Sequence, residues 1–380
     1  MWTDVSALFS TNRLDKKELE TLITNGIEST RYLAVDESRM LADPARYYKG
    51  GKPDLQLFDK KLYEVNPDDK VAIARAAAEE VLGKDERIIS VDSSYSDGEG
   101  SSYRLISNGF EGESKSTWFS VSASVSIKGE GEARPQDYWY DSALFYDKLT
   151  KTGIGAKALE RVLRKLGQKK AKSGKYTMVV DPMNVGNLLS PMLSALYGSA
   201  LQQKNSFLMD KLDTKVASDL FTLRDEPHAI GANGSRYFDN EGVATEPRTV
   251  FDKGVLKTYF IDTYNGKKMD IAPTISTPSR LILTPGDKDL NGLVADIKQG
   301  ILVTGFNGGN SNSSTGDFSY GIEGFLIEDG KLTQPVNEMN VTGNMVTLWN
   351  SLVAVGNDPQ PNRSWQIPSL VFEGVDFSGL

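Results

Sequence analysis

The segment Phe119-Ser120-Val121-Ser122-Ala123-Ser124-Val125-Ser126-Ile127 alternates apolar residues with serine without a break. Side chains of an extended strand point alternately to opposite faces, so one face of this strand meets a core and the other meets solvent or a polar lumen. A helix would scatter the same residues around its axis. The neighbouring stretch from Arg87 to Phe145 is β-rich, and Gly98, Gly100, Gly109, Gly112, Gly129 and Gly131 read as the punctuation of several hairpins. Helical patterns flank it. Asp15 to Tyr32 carries Leu19, Leu22, Ile23 and Ile27 near a 3.6-residue period. Asn66-Pro67-Asp68-Asp69 opens a second helix, with a capping side chain, a proline in the first turn and acids at the positive dipole end, and Gly83 stops it. A third spans about Ile154 to Leu166. Between the first two, Asp36 to Asp59 holds Pro44, Gly50-Gly51 and Pro53 and reads as a wrapping loop.

The basic run Lys169 to Lys175 reads as a solvated linker, so residues 1–172 form a mixed N-terminal and middle αβ region and residues 173–380 a β-rich second half. That half opens with a strand, Tyr176 to Val180. Leu188, Leu189, Met192, Leu193, Leu196, Tyr197, Ala200 and Leu201 then predict one long buried helix. Thr249 to Leu256 and Phe325 to Leu332 carry the turn chemistry of hairpins, and Gly305 to Gly316 reads as a flexible loop. Strands and helices do not alternate regularly, which makes the chain α+β and not doubly wound.

Of 380 residues 39% are apolar, enough for sizeable cores, and 51 acids against 43 bases leave a charge of −8. A diffuse negative balance disfavours nucleic acid and anionic membranes as partners. No window reaches the ~20 apolar residues of a membrane helix. Met1 to Val5 lacks the basic and apolar regions of a leader, and with no cysteine for disulfides the expectation is a cytoplasmic protein.

With one histidine and no cysteine, a His- or Cys-based catalytic metal site cannot be assembled from this sequence alone. Phosphate-loop and dinucleotide fingerprints fail for want of the required glycines. Asp287-Lys288-Asp289-Leu290-Asn291-Gly292 copies the start of a calcium loop, but its twelfth position is Lys298, so it reads as a polar turn capping a helix near Leu293. His228, with Asp225 nearby, has the makings of a triad base but no nucleophile elbow accompanies it. Asp239-Asn240-Glu241-Gly242 and Thr315-Gly316-Asp317-Phe318-Ser319 bring acids close together, and only tertiary proximity would make them an acid/base pair.

The motifs of the second half resemble the TldD/PmbA family. They are Asn205-Ser206-Phe207-Leu208, Thr222-Leu223-Arg224-Asp225, Phe238 to Thr245, Thr315 to Ser319, Gly321 to Pro335, Gly343-Asn344, Val355-Gly356-Asn357-Asp358 and Pro368-Ser369-Leu370. The resemblance is looser over about Leu57 to Leu166, and it implies that the family's first strands precede Thr3. TldD-type chains of the family carry H-E-x-x-x-H on the long helix, which with a distant cysteine binds zinc. Here that helix reads Leu188-Leu189-Ser190-Pro191-Met192-Leu193-Ser194-Ala195, so the chain resembles the TldE (PmbA) subunit. The resemblance implies a chain without catalytic or metal-binding residues of its own. Zinc belongs to a TldD-like partner, the two forming a heterodimeric peptidase around a chamber that holds an unfolded peptide. It also implies possible homodimers when the chain is isolated, and a peptide- or lumen-lining role for Asp239, Glu241, Gly242, Thr315, Gly316, Asp317 and Ser319. The other readings are a stand-alone metal-free regulator of the modulator-of-DNA-gyrase type, and a hydrolase using His228 or paired carboxylates.

Overall fold

The computed structural model describes residues 7–380; Met1 to Val5 and the strands expected before Thr3 lie outside the described residues. Helix α1 (Lys16–Thr30) starts where Asp15 accepts a hydrogen bond from the Glu18 N–H and so caps it. Ile23 and Ile27 of its apolar stripe stay exposed. The chain from 31 to 63 then wraps the molecule, with Leu55 accepting from the Gly231 N–H and Leu57 from the Thr117 N–H. Helix α2 (Pro67–Glu79) begins with Asn66 as its cap.

Strands β1 (Ile88–Ile106), β2 (Phe110–Ile127) and β3 (Gln136–Ala143) make one antiparallel sheet, followed by helix α3 (Ile154–Leu163). The serine alternation is realised in full. Phe119, Val121, Ala123, Val125 and Ile127 are buried against α2 and α3, and the serines form the opposite, partly open face. Ser94 and Ser122 bond across it at 2.9 Å, and Ser102 and Ser114 at 2.8 Å. The expected set of short hairpins is instead a single long one, paired from Ile88↔Ile127 to Ile106↔Phe110. Gly98 and Gly112 lie inside strands because aromatic rings occupy the space of their side chains. A Cβ at Gly98 would sit 3.1 Å from the Trp118 indole, and one at Gly112 would sit 2.6 Å from the Phe110 ring.

The second half contributes β4 (Gly174–Val180), α4 (Gly186–Ser194), α5 (Gly198–Gln202), β5 (Leu223–Asp225), β6 (Arg248–Asp252), β7 (Val255–Leu256), α6 (Thr263–Met269) and β8 (Leu281–Leu283). It continues with α7 (Leu290–Ala295), β9 (Gln299–Ser311), β10 (Asp317–Glu328), β11 (Lys331–Asn344), α8 (Met345–Asn350), β12 (Leu352–Val355), β13 (Trp365–Gln366) and β14 (Leu370–Ser378). One sheet runs β11-β10-β9-β4-β14-β12. It closes into a barrel because Asn340, Val341 and Thr342 of β11 pair with Ser378, Phe377 and Asp376 of β14. A second sheet of short strands runs β13-β8-β5-β6-β7. Both expected hairpin turns form, with Gly254 and Gly330 in left-handed conformations that glycine tolerates, and Lys253 and Asp329 held in the same region by the turn. The chain is therefore α+β, a mixed αβ unit joined to a β-rich one. Lys165, 9% exposed on its side chain, ties the two: its ammonium meets the Gln136 carbonyl at 3.0 Å, Asp137 at 3.2 Å and Glu323 of β10 at 2.7 Å.

Three local expectations change. The long helix is broken into α4 and α5, since Tyr197 turns extended and the chain pairs with Phe260 through Gly198 N–H→Phe260 O and Phe260 N–H→Leu196 O. The loop 305–316 is half strand, carrying β9 to Ser311. The helix after the calcium-like turn starts at Leu290, with Asp289 accepting from the Gly292 N–H, the capping role expected of that turn.

Candidate functional site

Helix α4 is the element on which the site question turns. Leu188, Leu189, Met192 and Leu193 are each at most 1% exposed and pack into the main core. Asn187, Ser190 and Ser194 form its open face. These side chains do not fit a zinc ion: the exposed ones offer two hydroxyls and an amide, where zinc takes imidazole, thiolate or carboxylate. Among the described residues no three His, Cys, Asp or Glu side chains converge to hold a metal.

Around the C-terminal end of α4 the separated motifs meet. Ser206 donates to the Ala195 carbonyl at 2.6 Å and accepts from the Leu208 N–H at 3.1 Å. Phe207 N–H donates to the Ser313 carbonyl, and Ser313 and Ser314 both donate to the Asn205 amide oxygen. Asn344 donates to the Thr315 carbonyl at 2.8 Å and to Asp317 at 2.9 Å, while the Thr315 hydroxyl donates to Asp317 at 2.8 Å. Gly316 sits at φ +81° against the Phe207 ring, a position closed to other residues on both counts. The hydrogen bonds from Asn344 and Thr315 hold the exposed Asp317 carboxyl below the usual carboxylate range. Ser319 is exposed two residues further along β10. This corner is a preorganised polar surface with one ionised carboxylate. Asn205 and Asn344 anchor it, roles invisible in sequence because an asparagine's partner depends on which loops come together.

Asp239, Glu241 and Gly242 form a second cluster. Asp239, 3% exposed, accepts from the Glu241 and Val243 N–H groups with one oxygen and from Ser276 N–H with the other, at 2.9, 3.0 and 3.0 Å. Glu241 accepts from Thr263 N–H at 3.0 Å and from its hydroxyl at 2.9 Å. Gly242, at φ +79°, lies beneath the Phe110 ring. No hydrogen bond or ion pair among the described residues joins this cluster to the Thr315–Ser319 corner. Asp239 gives three of a carboxylate's roughly four acceptor sites to backbone N–H groups, which suits a bracket holding the turn against Ser276.

Burial pushes the Glu241 carboxyl above its ordinary value, against the lowering effect of Thr263. A carboxyl raised in the fold binds its proton more tightly folded than unfolded. Its contribution to stability is therefore complete below the unfolded pKa of about 4.3 and is lost as pH rises through the folded value. Glu241→Gln removes that titration. Its urea-unfolding free energy relative to the parent chain should rise between about pH 4 and pH 7; a difference constant with pH would contradict the shift.

His228 is not a triad base. The Thr245 hydroxyl donates to the Arg236 carbonyl, so the contact of 3.0 Å between His228 Nε2 and Thr245 Oγ1 has the imidazole as donor. Asp225 is spent on the Ser279 and Arg280 N–H groups. Burial pushes the imidazole pKa down. The motifs Val355 to Asp358 and Pro368 to Leu370 are likewise a bracket, in which Asp358 accepts from the Ser369 N–H and hydroxyl and from the Leu290 N–H.

Residues 173–379 match the model of the PmbA/TldA metallopeptidase C-terminal domain, and residues 60–166 match that of the PmbA/TldA metallopeptidase central domain. The chain belongs to this family. The PmbA homologue of Haemophilus influenzae, named a metalloprotease, is 28% identical over 381 aligned positions, covering 97% of this chain and 82% of the relative. A crystal structure from Bacteroides thetaiotaomicron, provisionally described as a modulator of DNA gyrase, is 73% identical with a TM-score of 0.97, covering 98% of this chain and 85% of that one. TldE from Thermococcus kodakarensis shares the fold, with a TM-score of 0.80 at 22% identity over 97% of this chain and 86% of that one. Within the PmbA/TldD family the chain is of the TldE (PmbA) type. No helix of the described residues is long and apolar enough to cross a membrane.

Proposed function

We propose that this chain is the non-catalytic partner of a TldD-like subunit in a zinc peptidase acting on peptides or unfolded proteins. The observation that carries this reading is α4. The helix that bears the metal motif in TldD-type chains here buries Leu188, Leu189, Met192 and Leu193 and opens only Asn187, Ser190 and Ser194. Such a surface packs, hydrogen-bonds and shapes a chamber, but supplies neither a Lewis acid nor a general base. The serine face of β2 and the corner at Thr315–Ser319 are the surfaces we assign to an extended peptide; β2 is already paired on both sides, so its serine hydroxyls would hold the peptide backbone, with tolerance for side-chain identity.

The assembly is tested by light scattering on an equimolar mixture with the TldD-like protein of the same organism. One species of summed 1:1 mass is expected, with the isolated chain self-associating through the surface left unmatched. Two unmixed species would contradict the partnership. The description of the Bacteroides relative supplies the second reading, a metal-free regulator acting on gyrase. With 51 acidic against 43 basic residues it would act by contact with protein, not with DNA.

A further inference from the structure

We propose that a cleft of about 410 Å³ holding Lys148, Arg280 and Arg363 is a carboxylate-binding site whose ligand is an acidic peptide segment. The cleft lies where the loop after β3, the wrapping segment at Gln56 and the loops at residues 230–233 and 362–366 meet. Three cations line it and no acid does, in a chain whose net charge is −8. A cleft lined by one sign of charge concentrates the opposite sign inside it.

Among the described residues, no carboxylate lies within ion-pair distance of any of the three cations. Glu226, the acid whose field reaches Arg280, is held at 2.7 Å by Arg224. Asp147, next to Lys148, is paired with Lys61. Arg363 rests over the Tyr140 ring at 4.5 Å, which holds the guanidinium in place while leaving its N–H edge for an oxyanion. Burial pulls both guanidinium pKa values down, a shift that the field of Glu226 only partly offsets at Arg280, and the buried Arg280 Nε has no hydrogen-bond partner among the described residues. The amide N–H groups of the lining are turned to backbone, Asn233 donating to the Asn362 carbonyl and Gln366 to the Arg363 carbonyl.

The shape selects a carboxylate carried on a chain. The volume is many times that of one small ion, and Leu144 and exposed Ile230 give it an apolar wall. A glutamate side chain, with a short hydrocarbon stem and a fork-shaped head, matches both surfaces, and arginine binds that head in a bidentate fashion. The proposal concerns this chain's own residues and stands whether or not it partners a peptidase.

The test is fluorescence anisotropy of the full chain with a labelled, N-acetylated, C-amidated peptide containing two glutamates, beside its glutamine counterpart. The glutamate peptide should bind at least roughly tenfold more tightly, with binding weakened as ionic strength approaches about 0.15 M. Arg280→Gln and Arg363→Gln should each weaken it by about tenfold, and Arg363→Lys by less, because lysine keeps the charge but not the fork. Lys148→Gln changes an exposed side chain, so its expected severalfold loss does not depend on the fold surviving substitution of a half-buried arginine. Equal binding of the two peptides, or variants that bind as tightly as the parent chain, would overturn the proposal. Binding of inorganic phosphate without binding of the glutamate peptide would also overturn it, by showing a site for a free anion.

Discussion

Asp239→Ala is expected to destabilise the β-rich half by about 3–5 kcal/mol, because it leaves buried groups without their partner. The carboxylate binds three backbone N–H groups, those of Glu241, Val243 and Ser276, which draws the turn at residues 239–243 onto the segment at Ser276. It is also an anion whose field reaches the part-buried guanidinium groups of Arg236 and Arg248. Alanine removes all of this at a position 3% exposed. Asp239→Asn keeps one acceptor oxygen and should lose about half as much. Urea unfolding followed by near-ultraviolet circular dichroism reads both. An alanine variant as stable as the parent chain would show that the carboxylate is not a bracket, and would return it to the pool of groups free to meet a substrate.

Gly155→Ala should cost about 3 kcal/mol in the middle unit, with the sign set by close packing and not by helix propensity. A Cβ at this position would lie 1.9 Å from the Ala77 carbonyl oxygen and 2.9 Å from a Val81 methyl, so α3 could accept it only by moving off α2. A backbone carbonyl cannot rotate out of the way as a side chain can. The same movement would pull the start of α3 from Glu80, whose carboxylate accepts from the Gly153, Gly155 and Ala156 N–H groups at 2.6, 2.8 and 3.2 Å. The propensity gain of alanine over glycine, up to about 1 kcal/mol, is too small to compensate. Gly186→Ala in α4 is the control, since a Cβ there meets nothing within 4 Å and the substitution should be neutral or stabilising. Equal behaviour of the two variants would contradict the packing argument.

What the sequence displays and what it hides divide along physical lines. Features written in a few adjacent residues are legible: the buried face of Phe119 to Ile127, the cap at Asn66, and the turns at Lys253-Gly254 and Asp329-Gly330. Features decided by a distant neighbour are not. Gly98 and Gly112 resemble turn residues, but rings from Trp118, Phe110 and Phe238 press on them inside long strands. The predicted long helix yields at Tyr197 because Phe260, far along the chain, offers backbone partners. Barrel closure joins residues 340–342 to 376–378 and leaves no local mark. The candidate site divides in the same way. Asp225 lies three positions from His228 in sequence, yet its carboxylate serves Ser279 and Arg280. The loss of metal ligands along α4 is legible at once, because it concerns which side chains exist and not where they point.

On the proposed function, this chain completes a zinc peptidase without carrying its chemistry. The direct measurement is cleavage of an unfolded peptide by this chain alone, by the TldD-like protein of the same organism alone, and by their mixture, each with and without a chelator. Cleavage by the mixture alone, abolished by the chelator, is the predicted result. Chelator-resistant cleavage by this chain on its own would contradict it.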